Sequence, residues 1–339
     1  MNKVVFRVVL FYALVSCGGN PTELVENRNT GGALGTSYGI VYLSAERQDL
    51  QRGIDSIFNA INRSLSTYIP NSDISRINKG DTSVVVDDMF REVFQLSQEV
   101  HGDTDGYFDP TVGVLVNAWG FGPGPGMVMD SIKVDSLLQY VGLKKITLTK
   151  TGHLQKENSG TYLDFNAIAK GYAIDRLAAF LDQQGINDYL VEVGGELVGK
   201  GENRIKKKPW TVGIDDPQIT EGRQLKITMH LKDRALASSG NYRKFRIDSL
   251  TGKKYVHTID PKSGFTKNSN TLGTTVLAPS CALADAYATA FMAMDLEKTR
   301  DILKKQDQLD AYIVYLDVEG NVQEFMTPGF KELVVNSTD

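Results

Sequence analysis

Thiols are scarce in this 339-residue chain: Cys17 and Cys281 are its only cysteines, so one intramolecular disulfide is the most it could form. Histidine is nearly as scarce, four in all, with no Cys/His grouping of the kind that holds zinc. Neither a Gly-x-Gly-x-x-Gly nor a Gly-x-x-x-x-Gly-Lys-Ser/Thr signature occurs, which removes the Rossmann and P-loop ways of gripping a nucleotide phosphate. No stretch approaches the roughly 20 consecutive apolar residues of a membrane-spanning helix. Positive charge is in slight deficit, 37 Lys and Arg against 41 Asp and Glu, and a net charge of −4 argues against nucleic acid as a partner. No internal repeat is evident.

What is present begins with a leader. Lys3 and Arg7 flank the start of a short apolar run, Val8 to Val15, that Leu14-Val15-Ser16-Cys17 closes. This ending resembles a bacterial lipobox. Residues 1–17 are therefore expected to be a lipoprotein signal peptide, cleaved before Cys17 with lipidation of that thiol; an ordinary secretion signal with an incidental cysteine is the other reading. Residues 18–33, rich in Gly, Asn and Thr, read as a flexible tether. Gly18 is not an aspartate retention signal, which favours the outer membrane. The expected location is the periplasmic face of a bacterial membrane, held through the lipid anchor only. Cys281 is then the only thiol left, and its apolar neighbours suggest a small buried hydrophobe.

With 41% hydrophobic residues the chain can bury a substantial core, as two domains or one large one. Apolar residues at helical spacing predict helices over 47–64, 87–100 and 168–184, with Gly102 and Gly185 as stops. Strand patterns fall at 38–43, 189–193, 210–214, 225–231, 255–260, 271–277, 311–316 and 322–325, the last two flanking a Glu319-Gly320-Asn321 turn. Strands in runs between separated helices indicate an α+β fold rather than βαβ alternation. The Gly-Pro-rich piece 120–126 is a candidate lobe boundary or surface loop.

Several segments could carry chemistry. Asp285 and Thr289 stand four apart in the helical run CALADAYATAFMAMD, on one face, where a carboxylate and a hydroxyl can share one hard cation. The same alanine spacing also packs a helix tightly on a sheet, with Asp285 as a solvated or capping acid. An oxygen-only site points to magnesium bridging phosphates, with few protein ligands. Gly194 and Gly195 follow an apolar strand and leave backbone amides unshielded. Ser238, Ser239, Gly240 and Asn241 could take phosphate oxygens or merely turn the chain. Tyr107, Phe108 and Trp119 could stack on a planar ligand or belong to the core. His257, on a strand just ahead of the Asp260-Pro261 turn, is placed to serve as a general base near neutral pH or as a structural histidine.

Taken in order, LGTSY (34–38), STYIPNSDISRIN (66–78), GYFDPTVGVLVNAWGFGP (106–123), DFNAIAKGYAID (164–175), VEVGGEL (191–197), SSGNY (238–242), HTIDPKSG (257–264) and ALADAYATA (282–290) resemble the FAD:protein FMN transferases, the ApbE lipoprotein family. The resemblance implies a two-lobed, T-fold-like α+β domain over 34–335, its two lobes intertwined, with FAD in the cleft between them. It implies Mg2+-dependent transfer of FMN from FAD to a Thr or Ser hydroxyl of an extracytoplasmic protein, with release of AMP. Acceptors would be proteins with FMN-binding domains, such as Nqr- or Rnf-type subunits. Asp285 and Thr289 match the family's metal-ligand helix, and the Ala167 carbonyl its third protein ligand. Asp164 and Lys170 match FAD contacts, as do Leu34, Tyr68, Tyr107, Phe108 and Asp109 at the flavin or adenine side. His257 matches the base that activates the acceptor hydroxyl. Ala288 stands where some members carry a second aspartate. FAD hydrolysis to FMN and AMP, or non-catalytic flavin storage, are the alternatives. No Asp-x-x-Ser/Thr-Gly/Ala-Ala-Thr acceptor pattern is clear in the chain, so self-modification is not expected.

Overall fold

The computed structural model describes residues 23–124, 126–219, 224–241, 245–247, 254–267 and 270–335. Cys17 and the leader lie outside the described residues, as does the start of the segment read as a tether.

The strands, in chain order, are β1 (Val25–Ala33), β2 (Thr36–Ser44), β3 (Ile146–Leu148), β4 (Leu154–Lys156), β5 (Tyr189–Val193), β6 (Glu196–Lys200), β7 (Trp210–Asp215), β8 (Leu225–Leu231), β9 (Arg234–Gly240), β10 (Phe245–Ile247), β11 (Lys254–Val256), β12 (Thr271–Ala278), β13 (Asp310–Leu316) and β14 (Val322–Met326). The helices are α1 (Gln51–Leu65), α2 (Asp73–Asn78), α3 (Asp88–Asp103), α4 (Gly113–Ala118), α5 (Ser131–Leu138), α6 (Ala169–Gln183), α7 (Cys281–Ala293), α8 (Leu296–Leu303) and α9 (Pro328–Glu332). Eight strands form one antiparallel sheet in the order β1-β2-β5-β6-β9-β12-β13-β14, and the α+β expectation holds.

Alternation along the strands sorts the core into layers. Val191 and Val193 of β5 join Ile40 and Tyr42 of β2 under α1 and α6, through Ile54, Phe58, Ile174 and Leu177. Leu190 turns the other way, to the layer built from Leu236, Leu277 and the β7–β8 hairpin residues Val212 and Met229. Ala235 and Ala237 of β9 keep that strand low, and α7 lies directly on β9 and β12 beside α6. Every residue of α7 is buried except Thr289, which is half-buried; a helix apolar on nearly all sides belongs in the centre of a fold.

Local signals set the helix ends. Asp87 accepts the Phe90 N–H at 2.9 Å and starts α3, which runs one residue past the Gly102 stop read from sequence. Gly185, at φ +74°, ends α6 as expected: its N–H reaches the Asp182 carbonyl and the Ile186 N–H the Leu181 carbonyl, a Schellman closure.

Three expectations change. Residues 25–33 are not a tether but strand β1, paired along its length with β2; Gly, Asn and Thr suit flexible chain by composition, yet here their backbone groups are satisfied in a ladder. Residues 238–240 are not a turn but the end of β9, where Ser238, Ser239 and Gly240 pair with Thr275, Thr274 and Gly273. The strand read over 255–260 stops at Val256, so His257 stands in a bend just beyond β11. The Gly-Pro segment lies between α4 and α5, where the loop of the two readings fits, and the Met127 N–H bonds back to the Ala118 carbonyl.

Candidate functional site

One cavity of about 540 Å³ collects the residues that the sequence singled out. Its rim is made by hairpin tips. Leu34 and Gly35 both take positive φ (51° and 76°) between β1 and β2, the backbone of a type I′ turn, so a bulky apolar side chain is held at the tip and lines the cavity. Gly194 (φ 64°) and Gly195 (φ 106°) form the β5–β6 turn, and a Cβ on Gly194 would come within 2.8 Å of Thr36. Their amides are not open to a ligand, which corrects the reading from sequence: Gly194 N–H bonds the Ser37 carbonyl and Gly195 N–H bonds Glu192 at 2.6 Å. Both glycines line the cavity because only they fit the turn. Ser239 and Gly240 line it from the β9 end.

The aromatic side is Tyr68, Tyr107 and Phe108. Tyr68 is 60% exposed and sits at the lip, whereas Tyr107 and Phe108 are buried. Tyr107 lies between two ammonium groups: Lys298 Nζ donates to its hydroxyl at 2.9 Å, and Lys262 Nζ is 4.4 Å from the ring centre. Asp109 also lines the cavity, but its carboxylate serves the loop. Oδ1 accepts the Thr111 N–H at 2.8 Å, Oδ2 accepts the Leu143 N–H at 3.0 Å, and His101 Nδ1 is 3.5 Å from Oδ2 while also 2.9 Å from the Phe108 carbonyl. His101, given no role from sequence, thus helps fix the aromatic loop. Trp119 is core, its Nε1 donating to the Gly264 carbonyl at 2.9 Å.

The charged floor lies where α6 meets α7. Asp285 is 4% exposed, so it is neither a solvated acid nor the helix cap; Ser280 and Asp175 cap α7 instead. Asp175 of α6 accepts the Cys281 and Ala282 amides at 2.7 and 2.8 Å, which fixes α7 against α6. Gly171 N–H, the amide that a regular first helical turn would direct to the Ala167 carbonyl, goes to Asp285 Oδ2 at 3.2 Å. Ala167, Asp285 and Thr289 all line the cavity. Gly171 must be glycine, because a Cβ there would lie 2.2 Å from the Cys281 carbonyl oxygen. Cys281 itself is fully buried and burial pushes its thiol well up, which holds the expectation of an inert hydrophobe.

Lys170 forms a short ion pair with Glu196, a residue quoted within VEVGGEL but given no role. Glu196 is 5% exposed and its Oε2 has neither a hydrogen-bond partner nor solvent contact. Burial pushes the Glu196 carboxyl up, and the Asp285 charge adds to this against the pull of Lys170. Asp285 is likewise raised by burial, with Lys170 and the Gly171 amide opposing. Burial alone would lower the Lys170 ammonium, but Glu196 and Asp285 outweigh it and raise it. Asp164 lines the cavity too; burial raises its carboxyl although the Asn166 N–H donates to it at 2.8 Å.

These oxygens fit a hard divalent cation. Two carboxylates burdened by burial, one of them with an orphaned oxygen, form a negative pocket that an ion would relieve. No group of three or more His, Cys, Asp or Glu placed to hold a metal ion occurs among the described residues. His257 lines the same cavity, its ring 6.5 Å edge-on from Phe121.

A single cleft on an antiparallel α+β scaffold brings together acidic oxygens, a half-buried ammonium, aromatic walls and an imidazole. The sequence model of the ApbE family matches residues 34–313, and the chain belongs to that family. A Haemophilus influenzae protein named FAD:protein FMN transferase is 30% identical, over 98% of this chain and 99% of its own length. Its counterpart of the same name from Vibrio cholerae is 33% identical, over 89% and 91%. Among solved structures, the flavin transferase ApbE from Vibrio cholerae superposes with a TM-score of 0.79 at 32% identity, covering 92% of this chain and all of that one. The apo flavinyl transferase ApbE of Pseudomonas stutzeri gives 0.80 at 29% identity, over 91% and 97%. By this kinship the chain is a transferase.

Proposed function

We propose that the protein transfers the FMN half of FAD to a Thr or Ser hydroxyl of an extracytoplasmic acceptor protein, releasing AMP. The observation that carries this reading is the shared cavity of His257, Lys170, Asp285 and Thr289. In the reaction the acceptor oxygen bonds to the FMN phosphorus, and the bond from that phosphorus to the bridging oxygen breaks. AMP leaves with the bridging oxygen, and the hydroxyl proton passes to the His257 imidazole.

His257 supplies the general base, for which its place on a bend at the cavity wall leaves it in reach of an incoming chain. Lys170, paired with Glu196 in the ligand-free protein, would place positive charge where the leaving phosphate gains negative charge. Asp285, Thr289 and the Ala167 carbonyl would hold Mg2+, which when bound neutralises the pyrophosphate and steadies the leaving group. Tyr107, Phe108, Leu34 and Tyr68 enclose the planar rings and keep water away from the reacting phosphorus. Mature protein would be anchored by lipid on Cys17 at the periplasmic face of the membrane, the outer membrane being favoured, with Nqr- or Rnf-type subunits and other FMN-binding domains as acceptors. No helix among the described residues is long and apolar enough to cross a membrane.

The test is AMP release from FAD and Mg2+ with and without an acceptor protein bearing an FMN-binding domain. Release that depends on the acceptor supports transfer. Equal release in both reactions would make the protein an FAD pyrophosphatase.

A further inference from the structure

Glu196 is the buried charge that the functional reading leaves without a task of its own. It begins β6 directly after the Gly194-Gly195 turn, so a rigid hairpin sets its position. One carboxylate oxygen holds Lys170; the other, Oε2, has no partner and is shut off from solvent. Leaving a carboxylate oxygen unsatisfied in a dry place is costly, and such an oxygen marks a site whose partner arrives with a ligand. The residue lines the cavity together with Asp285 and Thr289, and Asp285 is itself anchored by the Gly171 amide. Two carboxylates and one ammonium leave this corner with a net negative charge.

We propose that Glu196 is a second carboxylate of the cation site, taking the ion's hydration shell through Oε2 once substrate phosphate draws Lys170 away. The terminal torsion of a glutamate is soft, so a small rotation turns Oε2 to the cavity without moving the hairpin. In the resting protein Lys170 acts as a built-in counter-ion that keeps the two carboxylates together. When FAD enters, its phosphates take over Lys170 and the divalent ion replaces it beside Glu196. This inference rests on the flavin-transferase reading only for the identity of the phosphate ligand; the cation site itself is tested without turnover.

The experiment is calorimetric titration of the purified protein with Mn2+ and Mg2+, alone and with FAD present, with thermal unfolding of each variant as the control for folding. Partners of this kind typically contribute a factor of about 10–100 in metal affinity. Glu196→Gln, close in shape and neutral, should lose cation affinity within that range while its unfolding midpoint stays near the parent's. Lys170→Met, titrated without FAD, should bind the cation more tightly than the parent, because the competing ammonium is gone; a merely structural Lys170–Glu196 pair predicts looser binding. Unchanged affinity in Glu196→Gln, or weaker binding in Lys170→Met, would overturn the inference. Should Glu196→Gln fail to fold, the Lys170→Met result decides alone. If the parent protein takes up no cation even with FAD, the cation reading and this inference fall together; if the parent binds and the variants do not differ from it, only this inference fails.

Discussion

Asp285 makes the sharpest prediction at the scale of single residues. Its carboxylate is buried, bonded to Gly171 and close to Lys170, so Asp285→Ala removes both the proposed cation ligand and the anchor of the α6 start. Cation-dependent FAD binding, followed by quenching of flavin fluorescence, should weaken by tenfold or more on the scale expected when a charged metal ligand is lost. Binding that keeps its full cation dependence in Asp285→Ala would remove this residue from the site. Asp285 and Thr289 were legible in sequence because a spacing of four is a property of one helix and needs no tertiary information. Glu196 was not, since its meaning comes from Lys170, 26 positions away and brought near only by the fold. Asp109 shows the opposite case: it lines the cavity as its motif implied, yet its oxygens are taken up by Thr111 and Leu143, a commitment that no spacing rule reveals.

Pairs of elements decide whether the site is assembled. α6 and α7 touch so closely at Gly171 that Gly171→Ala forces a methyl group against the Cys281 carbonyl, a rigid backbone atom. The expected loss of stability lies at the upper end of about 1–3 kcal/mol, measured by urea unfolding, and a variant as stable as the parent would show that the helices can slide apart without cost. Asp175 is the other link. Burial raises its carboxyl from 3.8 to about 6, the two α7 amides opposing this only in part. A buried acid whose folded value is raised contributes most below the unfolded value and loses that contribution as pH rises through the folded one. Compared with Asp175→Asn, the parent should therefore lose about 2 kcal/mol of relative stability between pH 4 and pH 6, out of about 3 kcal/mol over the whole titration at about 1.4 kcal/mol per unit. A difference between the two that stays constant over that range would contradict the shift. Long periodic elements such as α1, α3 and α6 were visible in the sequence. β1 and β9 were not, because a Gly-, Asn- and Ser-rich segment becomes a strand through the neighbour it pairs with rather than through its own preference.

On the scale of the molecule, one antiparallel sheet carries much of the cavity, with the β1–β2 and β5–β6 turns and strands β9 and β12 in its lining, and the junction of α6 and α7 closes the floor. Residues from Leu34 to Thr289 converge there, which is why eight scattered motifs rather than one compact signature identify the family. The order of those motifs was readable in the chain; the hairpin tips that aim them were not, because turn geometry at Leu34 depends on a positive φ that leucine seldom adopts. The central claim is that an imidazole and a cation-bearing helix act together on one FAD molecule. Mass spectrometry of an FMN-binding-domain acceptor after incubation with FAD, Mg2+ and either the parent protein or His257→Ala tests it most directly. The account predicts a covalent FMN on an acceptor Thr or Ser with the parent, and a rate lower by about 10²–10⁴ with His257→Ala while that variant still binds FAD. Equal modification by both proteins, or none by the parent, would contradict it.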